Sequence, residues 1–354
     1  MYRFLKRLTP AAQLRWGAAY THAPRRFMSK GTLDPMTGEL TALPDINISA
    51  LEVIPNAKPS TPPPSSTLVF GHTFLFDIRV ELSSADAPLS LEPSSTVLHY
   101  AQTIFEGMKA YRQEDGKVTL FRPDMNMKRM NNSAQRIALP VRIASLSVYR
   151  APVGPYYPKG FKPVALYGTT EYIRAAPGGT GAFKLGVNYA PGVMPQKEAA
   201  AKGYVQNLWL HGPDHHLTEV WLKKENGGME LVTPPLDGMI LPGVTRDSVL
   251  ALARDHISGK NPLPKLPDDL TVSERPVTMK EVKEASETGA LVELFGAGTA
   301  AVISPVDRIG YLGEDVHIPT GEDGMGPVSR PIWTELVGRQ TGTIPSEWSV
   351  EVTK

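Results

Sequence analysis

The 354-residue chain contains no cysteine. That absence excludes disulfides, thiolate zinc sites and a cysteine nucleophile. No apolar run approaches the roughly 18 residues needed to span a bilayer, so no membrane role is expected. An excess charge is also missing. The 37 Lys and Arg stand against 36 Asp and Glu, and a formal net charge of +1 argues against a nucleic-acid partner. Acidic residues are absent from positions 1 to 33, the first being Asp34. No internal repeat divides the chain. With 41% hydrophobic and 21% charged residues the composition is globular, and the length suits two ordinary domains better than one large core.

The acid-free start carries Arg3, Lys6, Arg7, Arg15, Arg25, Arg26 and Lys30, and Leu5, Leu8, Ala12 and Trp16 can share one helical face. This pattern, without the apolar centre of a secretory signal, predicts a mitochondrial transit peptide over residues 1–33, cut near Arg25-Arg26-Phe27-Met28-Ser29, and a matrix location. Residues 34–67 read as an extended leader, because Pro62-Pro63-Pro64 blocks both helix and ladder. Strands are expected at Leu68–Phe70 and Phe74–Ile78, around a glycine turn, and at Val118–Phe121. Pro123 opens a helix in which Met127, Met130, Ala134 and Ile137 follow the 3.6 period. From Pro163 onward strands (Val164–Tyr167, Val205–Leu210, Leu231–Thr233, Ala290–Phe295) alternate with helices. These helices lie at Gln196–Lys202, after Gly243, and after the capping box Thr278-Met-Lys-Glu281. The expected fold is α+β, with a small N-terminal domain over 68–157, a linker over 158–162 and a larger C-terminal domain over 163–354.

The segment from Gly181 to Tyr189 sets one lysine, Lys184, among small residues, with a phenol five positions on. Glu219 follows 35 residues after the lysine, in Leu217-Thr-Glu-Val220. An amine for a Schiff base, a phenol for a ring hydroxyl and a carboxylate to keep a pyridine nitrogen protonated are what pyridoxal 5'-phosphate needs. Two segments suit anions. Ile240-Leu-Pro-Gly-Val-Thr245 leads into a helix whose first N–H groups, with the Thr245 hydroxyl, are free to point at a ligand. Phe295-Gly-Ala-Gly-Thr-Ala-Ala301 follows a strand, and its two glycines allow an amide nest. Arg129 could add a charged contact. A metal hydrolase built on His211, His215, His216 and Glu219 is the competing pattern, but Gly212-Pro213 breaks the helix that the His211/His215 spacing would need.

Taken in order, these stretches resemble the branched-chain amino acid aminotransferases, pyridoxal-phosphate enzymes of fold type IV. The resemblance runs from about Leu68 to the C-terminus. It rests on Leu98-His-Tyr100, Phe105-Glu-Gly-Met-Lys109, Leu120-Phe-Arg-Pro123 with Asn126 to Met130, Lys184 to Tyr189, Leu208 to Asp214, Leu217 to Val220, Leu231 to Pro235, Leu241-Pro-Gly-Val244 and Phe295 to Ala300. It implies that Lys184 carries the cofactor and shuttles the proton, that Glu219 partners the ring nitrogen, and that Tyr189 bonds the ring oxygen. Arg129, the Val244 and Thr245 amides and Thr299 would hold the phosphate, and the Thr299 and Ala300 amides the substrate carboxylate. Phe70 and Tyr156 would cover the aliphatic side chain. Tyr100 would reach into the site of a second subunit, making a homodimer. The implied reaction is ping-pong amino transfer between leucine, isoleucine or valine and 2-oxoglutarate. The paired-cysteine switch that some members carry after the Gly-Thr-Ala loop is replaced here by Ala301 and Ser304.

Two breaks depart from the family pattern. Between Leu139-Pro140 and Val153-Gly-Pro-Tyr156 only a dozen residues stand where the family has several dozen, including a helix and a substrate-facing strand. Val220 runs directly into Trp221-Leu-Lys-Lys-Glu-Asn, where the family continues Gly-Thr-Met-Asn and an apolar strand that should lie beside Val205–Leu210. Both look like skipped coding segments. They raise a second reading, a cofactor-binding or dimer-forming variant without turnover. Within the same fold, D-amino acid aminotransferase and aminodeoxychorismate lyase are alternatives, against which the stretches at Leu217–Val220 and Phe295–Ala300 favour the branched-chain group.

Overall fold

A computed structural model describes residues 69–70, 73–75, 93–139, 146–148, 152–153, 162–217, 220–225 and 228–352. The transit peptide, the leader and the linker expected from sequence lie outside these residues. Runs of consecutive apolar residues, buried on both faces, build one large mixed sheet. Its strands are β8 (Val164–Thr169), β9 (Gln206–Trp209), β10 (Val220–Glu225), β11 (Gly228–Thr233), β12 (Leu270–Glu274), β13 (Leu291–Gly298), β14 (Val302–Tyr311) and β15 (Glu314–His317). The order is β12-β11-β10-β13-β14-β8-β9, with β15 also on β14. Neighbouring residues point to opposite faces. Val232 and Leu294 join one core with Met279 and Val282 of helix α5 (Met279–Glu287). Leu231 and Phe295 join the other, with Val249 and Leu252 of α4 (Val244–Ile257) and Ile332 and Leu336 of α6 (Ser329–Thr341).

Three smaller sheets precede it in the chain. They pair β1 (Val69–Phe70) with β7 (Pro152–Val153), β2 (Thr73–Leu75) with β3 (Ile104–Glu106) and β6 (Leu146–Val148), and β5 (Val118–Phe121) with β4 (Ala110–Arg112). β16 (Ser349–Glu351), near the C-terminus, adds a third strand on β5. The two strands expected around the glycine turn do not pair with each other: β1 and β2 go to different sheets. The helices completing the chain are α1 (Thr96–Tyr100), α2 (Pro123–Arg136) and α3 (Val193–Ala201).

The second break is bridged differently from the sequence expectation. Among the described residues β9 is the sheet edge and pairs only with β8, while 220–225 run as β10 between β11 and β13, irregular in register at Leu222/Lys223. The residues that remain supply a strand, so the ladder between β11 and β13 stays continuous.

Candidate active site

Lys184 is fixed through its backbone. Its N–H donates to Ser133 Oγ on α2 at 2.9 Å, and its carbonyl accepts from Phe105 N on β3 at 3.1 Å. Leu185 then enters a small core with Ile104 and Ala134. A 3-10 turn over Gly186–Asn188 carries the chain round, so that the Tyr189 hydroxyl comes 3.4 Å from Lys184 Nζ. The ammonium also lies over the Phe105 ring, 4.1 Å from its centroid. Burial and then the Arg129 charge bring the Lys184 pKa down to about 8, while burial pushes the Tyr189 phenol up.

The α4 N-terminus behaves as its Pro-Gly start predicts. Gly243 is extended, no side chain caps the helix, and the first intrahelical bond is Asp247 N to Gly243 O, so the amides of Val244, Thr245 and Arg246 have no intrahelical acceptor. Arg129 reaches this turn, donating from Nη1 to Pro242 O at 3.2 Å. Its other side grips Glu106: Nε donates to Oε2 at 2.8 Å and Nη2 to Oε1. A cavity of about 390 Å³ opens between Tyr189, Gly243, Arg174 and Ala297, and a second of about 240 Å³ continues from Ala297 to Ala300. Arg129, Lys184, Tyr189 and the start of α4 are thus gathered into one region.

The glycine loop differs from the expected nest. Gly296 and Gly298 continue β13 in register with Ser304 and Val302 of β14, so their backbone belongs to the ladder. The turn itself is Thr299–Ala301, closed by Val302 at φ +63°, a left-handed conformation that a β-branched residue adopts only under strain. Thr299 and Ala300 therefore occupy a hairpin tip. Lys109 Nζ holds that tip through the Ala300 carbonyl at 2.5 Å, and burial brings its own pKa to about 8. Tyr100 ends α1 with 76% of its surface exposed. Glu219 and Tyr156 lie outside the described residues, and Phe70 is described only as backbone in β1.

Sequence reasoning missed Glu106, Ser133, Lys109, Arg174 and Arg246 as site residues. Glu106 and Lys109 stood in a recognised stretch, but their partners are distant in sequence. Arg246 lines the larger cavity, and its Nε is buried without a partner. His211 and His216 face each other across an antiparallel bridge and line an adjoining cavity of about 180 Å³, while His215 Nδ1 meets the Tyr311 hydroxyl at 2.5 Å. Among the described residues no group of three or more His, Asp or Glu is placed to hold a metal.

Comparison with known proteins identifies the family and the fold. Residues 146–309 match the family model of amino-transferase class IV. The cytosolic branched-chain-amino-acid aminotransferase of Saccharomyces cerevisiae is 40% identical over 380 positions, covering 88% of this chain and 99% of that protein. The mitochondrial one from the same yeast is 41% identical, with coverage of 87% and 93%. Among solved structures, the branched-chain amino acid aminotransferase of Escherichia coli superposes with a TM-score of 0.59 at 22% identity, over 75% of this chain and 94% of that one. The Thermobaculum terrenum enzyme in its PLP form gives 0.58 at 20%, over 79% and 98%. The first alignment is longer than the chain. Since 88% of 354 residues is about 312, about 68 of its 380 positions have no residue here, which fits the two breaks seen in the sequence. The chain belongs to the branched-chain-amino-acid aminotransferase family.

Proposed function

We propose that the chain catalyses reversible amino transfer between L-leucine, L-isoleucine or L-valine and 2-oxoglutarate with pyridoxal 5'-phosphate. The observation that carries this is an amine of lowered pKa, Lys184, set 3.4 Å from a phenol and beside a helix start whose amides are free. The residues present fit the cofactor. Lys184 would hold its aldehyde carbon and Tyr189 its ring oxygen. Arg129, the amides of Val244 and Thr245, and Thr299 would hold its phosphate, and Glu219 its ring nitrogen. When bound, the cofactor supplies the electron sink that makes the substrate α-proton acidic. Lys184 Nζ takes that proton and returns it, and its lowered pKa keeps a usable fraction as free base near neutrality. The Thr299 and Ala300 amides at the hairpin tip orient the substrate carboxylate, with Lys109 bracing the tip. Phe70 and Tyr156 would shield the aliphatic side chain.

A homodimer is part of this reading. Leu98, Tyr100, Ile173, Val193 and Met194 are large apolar residues left exposed in the single chain, and Tyr100 would complete a partner's pocket. Division into an N-terminal domain over 68–157 and a C-terminal one over 163–354 accompanies it. Relatives include both cytosolic and mitochondrial proteins. The acid-free start favours the mitochondrial matrix, and an intact Met1 on the native protein in a cytosolic fraction would overturn that. Among the described residues no helix is long and apolar enough to cross a membrane. The roughly 68 missing alignment positions favour a second reading, a chain that binds cofactor or dimerises without turnover. Assay of the full chain with leucine and 2-oxoglutarate separates the two. Glutamate formation supports the transaminase, and bound cofactor without glutamate supports the second reading.

A further inference from the structure

We propose that Glu106 is a positioning residue for the cofactor phosphate, acting through Arg129; this rests on the reading of the Lys184 site given above. Arg129 has five N–H donors in a fixed plane. Two go to the Glu106 carboxylate, from Nε and Nη2, and one goes from Nη1 to Pro242 O. The remaining two lie one on each terminal nitrogen, at the edge of the guanidinium that Glu106 leaves open. That edge matches two oxygens of a phosphate. Pro242 lies directly before Gly243 and Val244, so the edge is set beside the turn whose amides are free.

Glu106 is itself buried and held on both oxygens. It is 0% exposed, and its Oε1 also accepts the Gly107 N–H at 2.8 Å. The Gly107 carbonyl in turn accepts Asn126 Nδ2 at 3.1 Å, from one turn before Arg129 on the same helix. The carboxylate cannot swing without disturbing the strand end and α2 together. It therefore selects which edge of Arg129 faces the helix start.

A simpler role, neutralising a buried cation, makes opposite predictions. Charge alone says that Glu106→Asp changes nothing and that Glu106→Gln tightens anion binding, since a negative charge near a dianion is removed. Positioning says that both weaken it, because Asp keeps the charge but falls one methylene short and Gln offers only one acceptor. The experiment uses the full chain freed of cofactor, with equilibrium dialysis of pyridoxal phosphate and of inorganic phosphate, and circular dichroism on each variant. We expect each substitution to weaken binding of both anions about tenfold or more, the scale of one charge-assisted hydrogen bond. In an Arg129→Ala background, Glu106→Asp should have no further effect. Unchanged affinity in Glu106→Asp, tighter binding in Glu106→Gln, or an undiminished Asp effect without Arg129 would each overturn the proposal while leaving the phosphate site intact. Unchanged phosphate affinity in Arg129→Ala alone would overturn both. If Glu106→Gln does not fold, Glu106→Asp decides alone.

Discussion

At Lys184 the backbone is clamped between α2 and β3, so the amine is delivered to one place and only its protonation is left to vary. Burial and Arg129 favour the neutral form and hold the pKa near 8. Between about 8 and the ordinary 10.5 the folded chain binds fewer protons at this amine than the unfolded chain. Its contribution to stability therefore rises with pH across that window. The same shift sets reactivity. Cofactor uptake by the cofactor-free chain should climb with pH and level off near pH 8, and a rise continuing to pH 10 would show an unperturbed lysine. Lys184→Ala should abolish borohydride fixation of the cofactor, so persistent covalent labelling would place the attachment elsewhere. Glu219→Gln should leave the cofactor bound yet slow the half-reaction by orders of magnitude, because the ring nitrogen would lose its counter-charge. Near-normal transamination would end that assignment.

At the scale of elements, Glu293 shows what a pattern can and cannot reveal. It shares the β13 face of Phe295, two residues on, and so points to the side of α6. There it accepts Val328 N at 2.7 Å, Ser329 N at 3.0 Å and the Ser329 hydroxyl, standing in for a local cap. Burial raises the Glu293 pKa despite these bonds. Gly326 is required beside it, since a Cβ there would lie 2.2 Å from the carboxylate. Glu293→Ala should cost about 1–3 kcal/mol by leaving buried helix N–H groups without acceptors, and denaturant unfolding would measure it. A loss below about 0.5 kcal/mol would mean water replaces the cap. Strand and helix positions were readable where periodicity was strong, as at α2, α4 and β13, and Thr278 does cap α5 by accepting Glu281 N at 3.2 Å. Arg275 also engages the Glu281 carboxylate, donating from Nη1 and Nη2. Lys184 and the α4 start were legible because each is a contiguous segment. Glu106 was not, because a charge in a short strand gives no sign of a partner 23 residues away on a helix. The true turn at Thr299–Ala301 was displaced by glycines that serve the ladder instead.

For the whole molecule the decisive question is what the two breaks cost. The large sheet survives the second one, since β10 keeps its place between β11 and β13. On the family resemblance, the first break would remove a helix together with a substrate-facing strand. Each large apolar side chain that such a helix would have covered loses about 1.5–3 kcal/mol of burial, against a total stability of only about 5–15 kcal/mol. Exposed apolar residues such as Leu98, Ile173, Val193 and Met194 add to the surface that must be covered in solution. Ser133, Phe105 and Arg129 nevertheless stay gathered around Lys184, on α2 and β3, although α2 ends at Arg136, just ahead of the first break. The 354-residue chain is expected to bind cofactor weakly and to transaminate leucine poorly. A version with both segments supplied from the genomic locus should gain thermal stability, cofactor retention and turnover together. Thermal unfolding, cofactor absorbance and a leucine/2-oxoglutarate assay on the two proteins side by side make the test. Equal turnover would show that the breaks are tolerated insertions of the relatives rather than losses from this chain.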